Sequence, residues 1–388
     1  MTPRLLADSI TRWAKQYPIV TITGPRQSGK TTLAKSLFPD HAYVSLEEMD
    51  QRAFAREDPR AFLERYPGGV IIDEIQNAPE LPSYLQTEVD RVPTPGRFIL
   101  TGSRQFELME KVSQSLAGRT AIARLLPFSI DELYPDPAMV PDLNTVLYTG
   151  FYPRIHDKGL QATEALSFYI STYLERDVRQ VIQIVDFITF ERFLKLLAGR
   201  TGQLLNLSSL GNDVGVSHNT IKKWISILEA SCIIRLLPPW FSNQGKRLVK
   251  TPKLYFLDCG LAACLWGVTN PQQLQAHPLR GALFETMVIS EVFKSMFHRG
   301  KNNPLSFFRN HEGLEVDFVL EGGNGLTVGE IKSAQTIHPG FFDGLSAFEE
   351  NVSKTFRRLL IHGGREPEFT RQQTRVVPWT QIAPAMPD

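Results

Sequence analysis

Apolar residues recur along this chain in short β-branched blocks separated by stretches with helical spacing. Ile19-Val20-Thr21-Ile22-Thr23 predicts a strand entered after Pro18, and residues 32–38 predict a helix that stops at Pro39. Val70-Ile71-Ile72 follows a Gly-Gly turn and predicts a strand covered on both faces, as in a parallel sheet. Arg97-Phe98-Ile99-Leu100-Thr101 and the alternation Ala121-Ile122-Ala123-Arg124-Leu125 predict two more strands. Residues 4–17 are amphipathic, and residues 162–198 are helical in pattern, with Phe168, Tyr169, Tyr173 and Leu174 on one stripe. Near the C-terminus, residues 281–291 read as a helix. Residues 315–320 and 327–332 then read as two strands of a hairpin joined by a Gly-rich turn.

Between the first strand and the first helix lies Gly24-Pro25-Arg26-Gln27-Ser28-Gly29-Lys30-Thr31-Thr32, which fits the G-x-x-x-x-G-K-[ST] pattern. Strand, glycine loop and helix together point backbone N–H groups and a helix N-terminus at a polyphosphate. The glycines let the backbone close on the β-phosphate, Lys30 neutralises β/γ oxygens, and the Thr31 hydroxyl holds Mg²⁺. A buried neighbouring strand ending in Asp73-Glu74 supplies the acids: Asp73 for the Mg²⁺ shell, Glu74 to orient and deprotonate water. The strand ending at Thr101-Gly102-Ser103 offers Thr101 or Ser103 as a γ-phosphate sensor. Arg119, just before the next strand, is a candidate to stabilise transition-state charge in cis or in trans. The implied cofactors are ATP and Mg²⁺.

At 388 residues the chain is long enough for two or three domains, and its net charge of +1 excludes coating of nucleic acid by bulk charge. Three cysteines are too few and too poorly spaced for a disulfide framework or a zinc site, which places the chain in a reducing cytoplasm. No segment approaches the ~18 uninterrupted apolar residues of a membrane span, and the N-terminus lacks the apolar run of a signal peptide.

Residues 207–224 have the form of a helix-turn-helix turning at Gly215. Ser217 caps its second helix, and Ile221, Trp224, Ile225 and Leu228 make the apolar stripe. His218, Asn219, Lys222 and Lys223 fall on the polar face, where a recognition helix meets phosphate and base edges. Residues 233–237 and 247–249 are candidates for a wing, although such modules also serve as interdomain adaptors. In the C-terminal hairpin, Asp317 shares a face with Glu315 and Glu330 shares one with Lys332. An Asp opposite a Glu-x-Lys can hold Mg²⁺, with Glu285 as a further acid from the preceding helix. Taken from the residues alone, a charged hairpin at a sheet edge is slightly favoured, because Asp and Glu-x-Lys are common on solvent faces.

In this order the motifs resemble a widespread prokaryotic family of AAA-type ATP-binding proteins. Its members join an ATPase core to a winged helix and a C-terminal domain related to the PD-(D/E)xK nucleases. The carriers are residues 24–32, Ser45-Leu46-Glu47, residues 70–76, Thr101-Gly102-Ser103, Leu116-Ala117-Gly118-Arg119, Pro127-Phe128-Ser129, Glu315-Val316-Asp317 and Glu330-Ile331-Lys332. The resemblance implies an α/β P-loop core of parallel sheet and flanking helices at 1–135 and a helical lid at 136–199. A winged helix at 200–250 and a restriction-endonuclease-like α/β domain at 251–388 complete the expected order. It assigns the ATPase roles to Lys30, Thr31, Asp73 and Glu74, and the nuclease-like motif to Asp317, Glu330 and Lys332 with Glu285. One departure is the turn Gly150-Phe151-Tyr152-Pro153, which has one glycine where the family tends to carry two. Two functions compete: an ATPase acting on double-stranded DNA, and an ATP-driven switch working through a protein partner or homo-oligomer with a silent nuclease-like domain.

Overall fold

Strand β1 (Ile19–Thr23) is buried at every position: a parallel neighbour lies on each side and apolar side chains pack on both of its faces. In the computed structural model, which describes residues 2–102, 115–174, 187–240, 250–301, 304–310, 313–323, 325–352 and 355–387, β1 sits inside a five-stranded sheet. The other strands are β2 (Ala42–Ser45), β3 (Val70–Asp73), β4 (Phe98–Gly102) and β5 (Thr120–Arg124), in the order β2-β3-β4-β1-β5. Every pairing is parallel. The period of two sorts the apolar residues onto opposite faces. Ile19, Val70, Ile72, Phe98 and Leu100 pack on one side with Phe62, Leu81 and Leu85. Val20, Ile22, Ile71 and Ile99 pack on the other with Leu6 and Ile10 of α1 (Leu6–Ala14) and Leu33 of α2 (Lys30–Leu37). Each of these branched side chains contributes roughly 1.5–3 kcal/mol by leaving water, so the sheet is fixed by burial on both faces.

The chain forms two compact units: residues 1–128, 230–232 and 297–301 make the first, and residues 129–229, 233–296 and 302–388 the second. The leading segment of the first unit runs to Phe128. Ser129 opens the second with a capping box, its side chain accepting from the Glu132 N–H while Glu132 reaches back.

The second unit begins with helices. Residues 175–186 of the expected lid lie outside the described residues. Helix α3 (Ala162–Tyr169) runs into a π-turn at Ile170–Leu174, and Phe168 is 67% exposed while Tyr169 is buried. Phe168 therefore does not share the buried stripe. The single-glycine turn forms nonetheless: Gly150 takes φ +61 and ψ −156, and the Phe151 N–H donates to Asp258 at 2.7 Å.

The helix-turn-helix is present as α4 (Leu207–Val214), capped by Asn206, and α5 (His218–Ala230), capped by Ser217, whose Oγ accepts from Thr220 N–H at 3.1 Å. Its buried stripe is the expected Ile221, Trp224, Ile225 and Leu228, with Trp224 against Phe190 and Phe193. β6 (Ile234–Leu237) pairs antiparallel with β7 (Lys253–Phe256). The wing segment 247–249 lies outside the described residues.

The C-terminal sheet has six strands in the order β12-β13-β11-β10-β9-β8. They are β8 (Leu305–Arg309), β9 (Glu315–Gly322), β10 (Gly325–Lys332), β11 (Phe356–His362), β12 (Phe369–Arg371) and β13 (Thr374–Pro378). The hairpin β9-β10 is antiparallel as expected, and β11 then runs parallel to β10. The hairpin lies inside the sheet. Asp317 and Glu330 are 8% and 4% exposed, so the reading as a solvated edge does not hold.

Candidate functional site

The phosphate loop is shaped by residues that only tolerate its path in particular ways. Gly24 has φ +148, and a Cβ there would stand 2.0 Å from the Leu125 carbonyl oxygen. Gly29 (φ +91) opens α2, and Gln27 also takes a positive φ. Lys30 is buried, its ammonium donating to Gly24 O at 3.1 Å and Pro25 O at 2.7 Å. Burial lowers its pKa, and the charges of Glu74 and Asp73 oppose that shift. Ser28 Oγ is buried without a hydrogen-bond partner among the described residues. Arg26 and Gln27 are half-buried, Pro25 is buried, and Thr32 is exposed.

Asp73 ends β3, and β4 beside it ends with Thr101, so the two meet on adjacent strand ends. Thr31 Oγ1 donates to both Asp73 oxygens, at 3.1 and 3.0 Å, and Thr101 Oγ1 donates to Asp73 Oδ1. A third hydroxyl, Tyr43 Oη from the edge strand β2, donates to Asp73 Oδ2 at 2.9 Å. Burial and the Asp73 charge push the Tyr43 phenol up to about 12, so it stays a donor. Glu74 is held in the left-handed region (φ +55, ψ +48) with Gln76 Nε2 donating to its carboxylate. Strain of that kind at a non-glycine residue is a feature of working sites. The oxygen donors Thr31 and Asp73 fit Mg²⁺, a hard cation that keeps several waters.

Two residues here had not been anticipated. Tyr43 lies 30 residues from Asp73 in sequence, and its only signal was an aromatic in a strand adjacent to β3. Arg4 donates to Ser28 O at 2.8 Å and Leu126 O at 2.6 Å, bracing the loop from behind. Arg119, by contrast, is not brought to the loop. Its carbonyl pairs with Ile19 N–H at the start of β1, whereas the loop leaves the other end after Thr23, roughly 13 Å of strand away. Its guanidinium makes a two-pronged ion pair with Asp90 at 2.6 and 2.8 Å. In this arrangement Arg119 is not placed for a role in cis. Ser103 lies outside the described residues.

In the second unit, His218, Asn219, Lys222 and Lys223 are all exposed on α5. The C-terminal acids also come together, with an addition. Lys253 of β7 is buried, its ammonium 3.1 Å from Glu285 Oε1 and 2.5 Å from Glu315 Oε1. Tyr255 Oη donates to the same Glu285 oxygen at 2.5 Å. Lys332 lies 2.6 Å from Glu330 and 3.9 Å from Asp317, whose Oδ2 accepts from Ile331 N–H at 2.7 Å. Burial and the nearby Asp317 charge raise the pKa of Glu285 and push that of Glu330 up to about 8. Among the described residues, no group of three or more His, Cys, Asp or Glu is arranged to hold a metal ion. The Lys253 and Lys332 ammonium groups, the Tyr255 hydroxyl and the Ile331 N–H already take carboxylate oxygens that Mg²⁺ would need, so these residues do not fit it.

Comparison with known proteins divides the chain into three matched regions. Residues 16–134 match the model of an AAA domain, residues 140–272 a domain of unknown function (DUF8612), and residues 280–382 another (DUF4143). Two curated relatives, Uncharacterized protein Rv2008c of Mycobacterium tuberculosis and Uncharacterized protein Mb2031c of Mycobacterium bovis, are each 31% identical over 333 residues. That span is 85% of this chain and 74% of each relative. Among solved structures, a Walker-type ATPase of Pyrococcus abyssi aligns over 67% of this chain and 94% of its own, at 14% identity and a TM-score of 0.44. RuvB of Thermotoga maritima aligns over 60% and 87%, at 17% identity and a TM-score of 0.32. AMPPCP-bound DnaA of Aquifex aeolicus aligns over 58% and 86%, at 13% and 0.31. No helix among the described residues is long and apolar enough to cross a membrane.

Proposed function

Since the chain belongs to the family of the mycobacterial proteins Rv2008c and Mb2031c, with an AAA domain at residues 16–134, we propose that it binds and hydrolyses ATP with Mg²⁺. The observation that carries this reading is the direct bond from Thr31 to both oxygens of Asp73 beside a buried, loop-anchored Lys30. A hydroxyl and a carboxylate in that relation are the pair that holds a nucleotide-bound cation, and the cation when bound neutralises charge on the β- and γ-phosphates. Residues 24–32 wrap the phosphates. Lys30 exchanges its carbonyl partners for phosphate oxygens, and Glu74 takes a proton from the attacking water. Thr101 couples Asp73 to the end of β4, a position from which the state of the γ-phosphate is felt.

The exposed row His218, Asn219, Lys222 and Lys223 on a capped helix supports a contact with double-stranded DNA through α5. The order helix, three antiparallel strands, helix, parallel strand from Arg280 to His362 supports a restriction-endonuclease-like fold for the C-terminal part. The cation-filled acid cluster favours the second reading for that part: an ATP-driven switch, alone or in a homo-oligomer, whose nuclease-like domain recognises without cutting. The three cysteines, two of them buried, form no disulfide among the described residues, which suits a cytoplasmic protein.

The test is steady-state ATP hydrolysis by the wild type, Lys30→Ala and Glu74→Gln, with and without duplex DNA. Lys30→Ala should lose nucleotide binding, and Glu74→Gln should retain ATP while losing turnover. A Lys222→Ala/Lys223→Ala double variant should weaken DNA binding and flatten its salt dependence. Turnover unchanged in Lys30→Ala would refute the ATPase reading. DNA affinity unchanged in the double variant would refute the assignment of α5.

A further inference from the structure

The C-terminal acid cluster gathers four carboxylates, Glu285, Glu315, Asp317 and Glu330, from the helix Arg280–Phe297 and from strands β9 and β10. Such a gathering inside a protein is costly unless cations or protons share it. In metal-dependent sites a divalent ion takes that role, holding several oxygens at about 2.0–2.6 Å. Here the partners are covalent parts of the chain. Lys253 reaches in from β7, a strand outside the sheet that carries the acids, and its side chain is only 4% exposed. Its ammonium bridges the helix acid to the strand acid, Glu285 to Glu315, while Tyr255, two residues on and on the same face, donates to Glu285 as well. Arg309 takes the second oxygen of Glu315 at 3.1 Å, and Lys332 takes Glu330. Asp317 spends Oδ2 on a backbone N–H.

The strand segment Lys253-Leu254-Tyr255-Phe256 makes this arrangement specific. Leu254, Tyr255 and Phe256 are fully buried, so a lysine at its head, also buried, has no solvent to reach along the strand. It neither snorkels outward nor stands alone. Lys253 is placed by the β6-β7 ribbon, and the acids are placed by α-helix and sheet, so the ion pairs join two separately built pieces of the second unit.

We infer that Lys253 is the resident cation of this cluster: its ammonium stands where a divalent ion would otherwise bind, the cluster as built takes no Mg²⁺, and removal of this one side chain converts it into a divalent-cation site. The inference goes beyond the ATPase reading and does not depend on it.

The experiment uses the full chain without nucleotide and titrates Mn²⁺, followed by its electron paramagnetic resonance signal and by thermal unfolding. Asp317→Asn serves to separate binding at the C-terminal cluster from binding at Thr31 and Asp73. In the wild type, Asp317→Asn should leave Mn²⁺ binding unchanged. Lys253→Met and Lys253→Gln should each gain one site, abolished by adding Asp317→Asn, with affinity raised about tenfold or more and with unfolding shifted upward by Mn²⁺. Lys253→Arg, which keeps the charge, should behave as the wild type. A Mn²⁺ site in the wild type that Asp317→Asn removes would overturn the inference, as would the absence of any new site in the neutral variants. If those variants fold only with Mn²⁺ present, the gain is demonstrated; failure to fold with and without it counts against the inference.

Discussion

Gly24→Ala tests the geometry of the phosphate loop most directly. The added methyl would lie 2.0 Å from the Leu125 carbonyl oxygen, more than 1 Å short of the 3.4 Å at which ordinary contact begins. Leu125 cannot simply retreat, because its N–H is bonded to Thr23 O at 2.8 Å in the β1-β5 register. The loop must therefore move, and Gly24 O and Pro25 O, which anchor the Lys30 ammonium, move with it. Backbone strain at φ +148 adds about 1–3 kcal/mol. A displacement near 1 Å at a phosphate-positioning group lowers turnover about 100-fold. We expect at least about tenfold weaker ATP binding by fluorescent-nucleotide titration, and unfolding several degrees lower by calorimetry. Gly29→Ala is the comparison: the nearest atom to its added methyl is Arg4 Nη1 at 3.7 Å, so it meets strain at φ +91 but no collision. Wild-type nucleotide affinity in Gly24→Ala, or a larger loss in Gly29→Ala than in Gly24→Ala, would refute this account of the loop.

Two further outcomes follow from the second unit. Gly150→Ala places a methyl 2.3 Å from Asp258 Oδ1 at a φ/ψ pair that only glycine adopts readily, and pushes Asp258 off the Phe151 and Leu261 N–H groups. It should cost about 3 kcal/mol in denaturant unfolding. A loss below about 0.5 kcal/mol would show that the turn can be rebuilt. The raised acids predict a pH dependence whose sign is fixed. Glu330 ionises at about 8 in the folded chain, well above its ordinary range, so its stabilising protonation is complete in acid and lost as pH rises through 8. Glu285, Glu291 and Asp258 are shifted upward by burial in the same sense. Between pH 6 and 8.5 the wild type should lose stability, and Glu330→Gln should remove part of that slope, up to about 1 kcal/mol per pH unit. Parallel stability profiles for the two proteins would contradict the assignment.

Features encoded locally were legible in the sequence. The phosphate loop needs two glycines, a lysine and a hydroxyl within one short stretch, and Asp73 follows three aliphatics that announce its strand. The apolar stripe of α5 and the cap at Ser217 were equally open to reading, since helix period and capping chemistry are properties of neighbours. Arg119 was misread in its cis role because its side chain was weighed without the polarity of its strand. A residue just before a parallel strand stands at the end away from the ligand. Phe168 was misplaced because consecutive residues of a helix stand about 100° apart, so it does not share the buried face of Tyr169. Tyr43 and Lys253 were missed for a different reason. Their partners are 30 residues away for Tyr43, and 32 and 62 for Lys253, and no local pattern pairs residues across such gaps. The clue available for Lys253 was a charge heading a strand whose other residues are all apolar or aromatic.

Arg4 precedes every predicted strand and helix, yet it holds the backbone at Ser28 and at Leu126 in one guanidinium. The segment just ahead of α1 thus acts as a strap across the back of the loop. Trimming the first few residues, or fusing a bulky tag against them, would loosen the very segment such preparations are meant to assay.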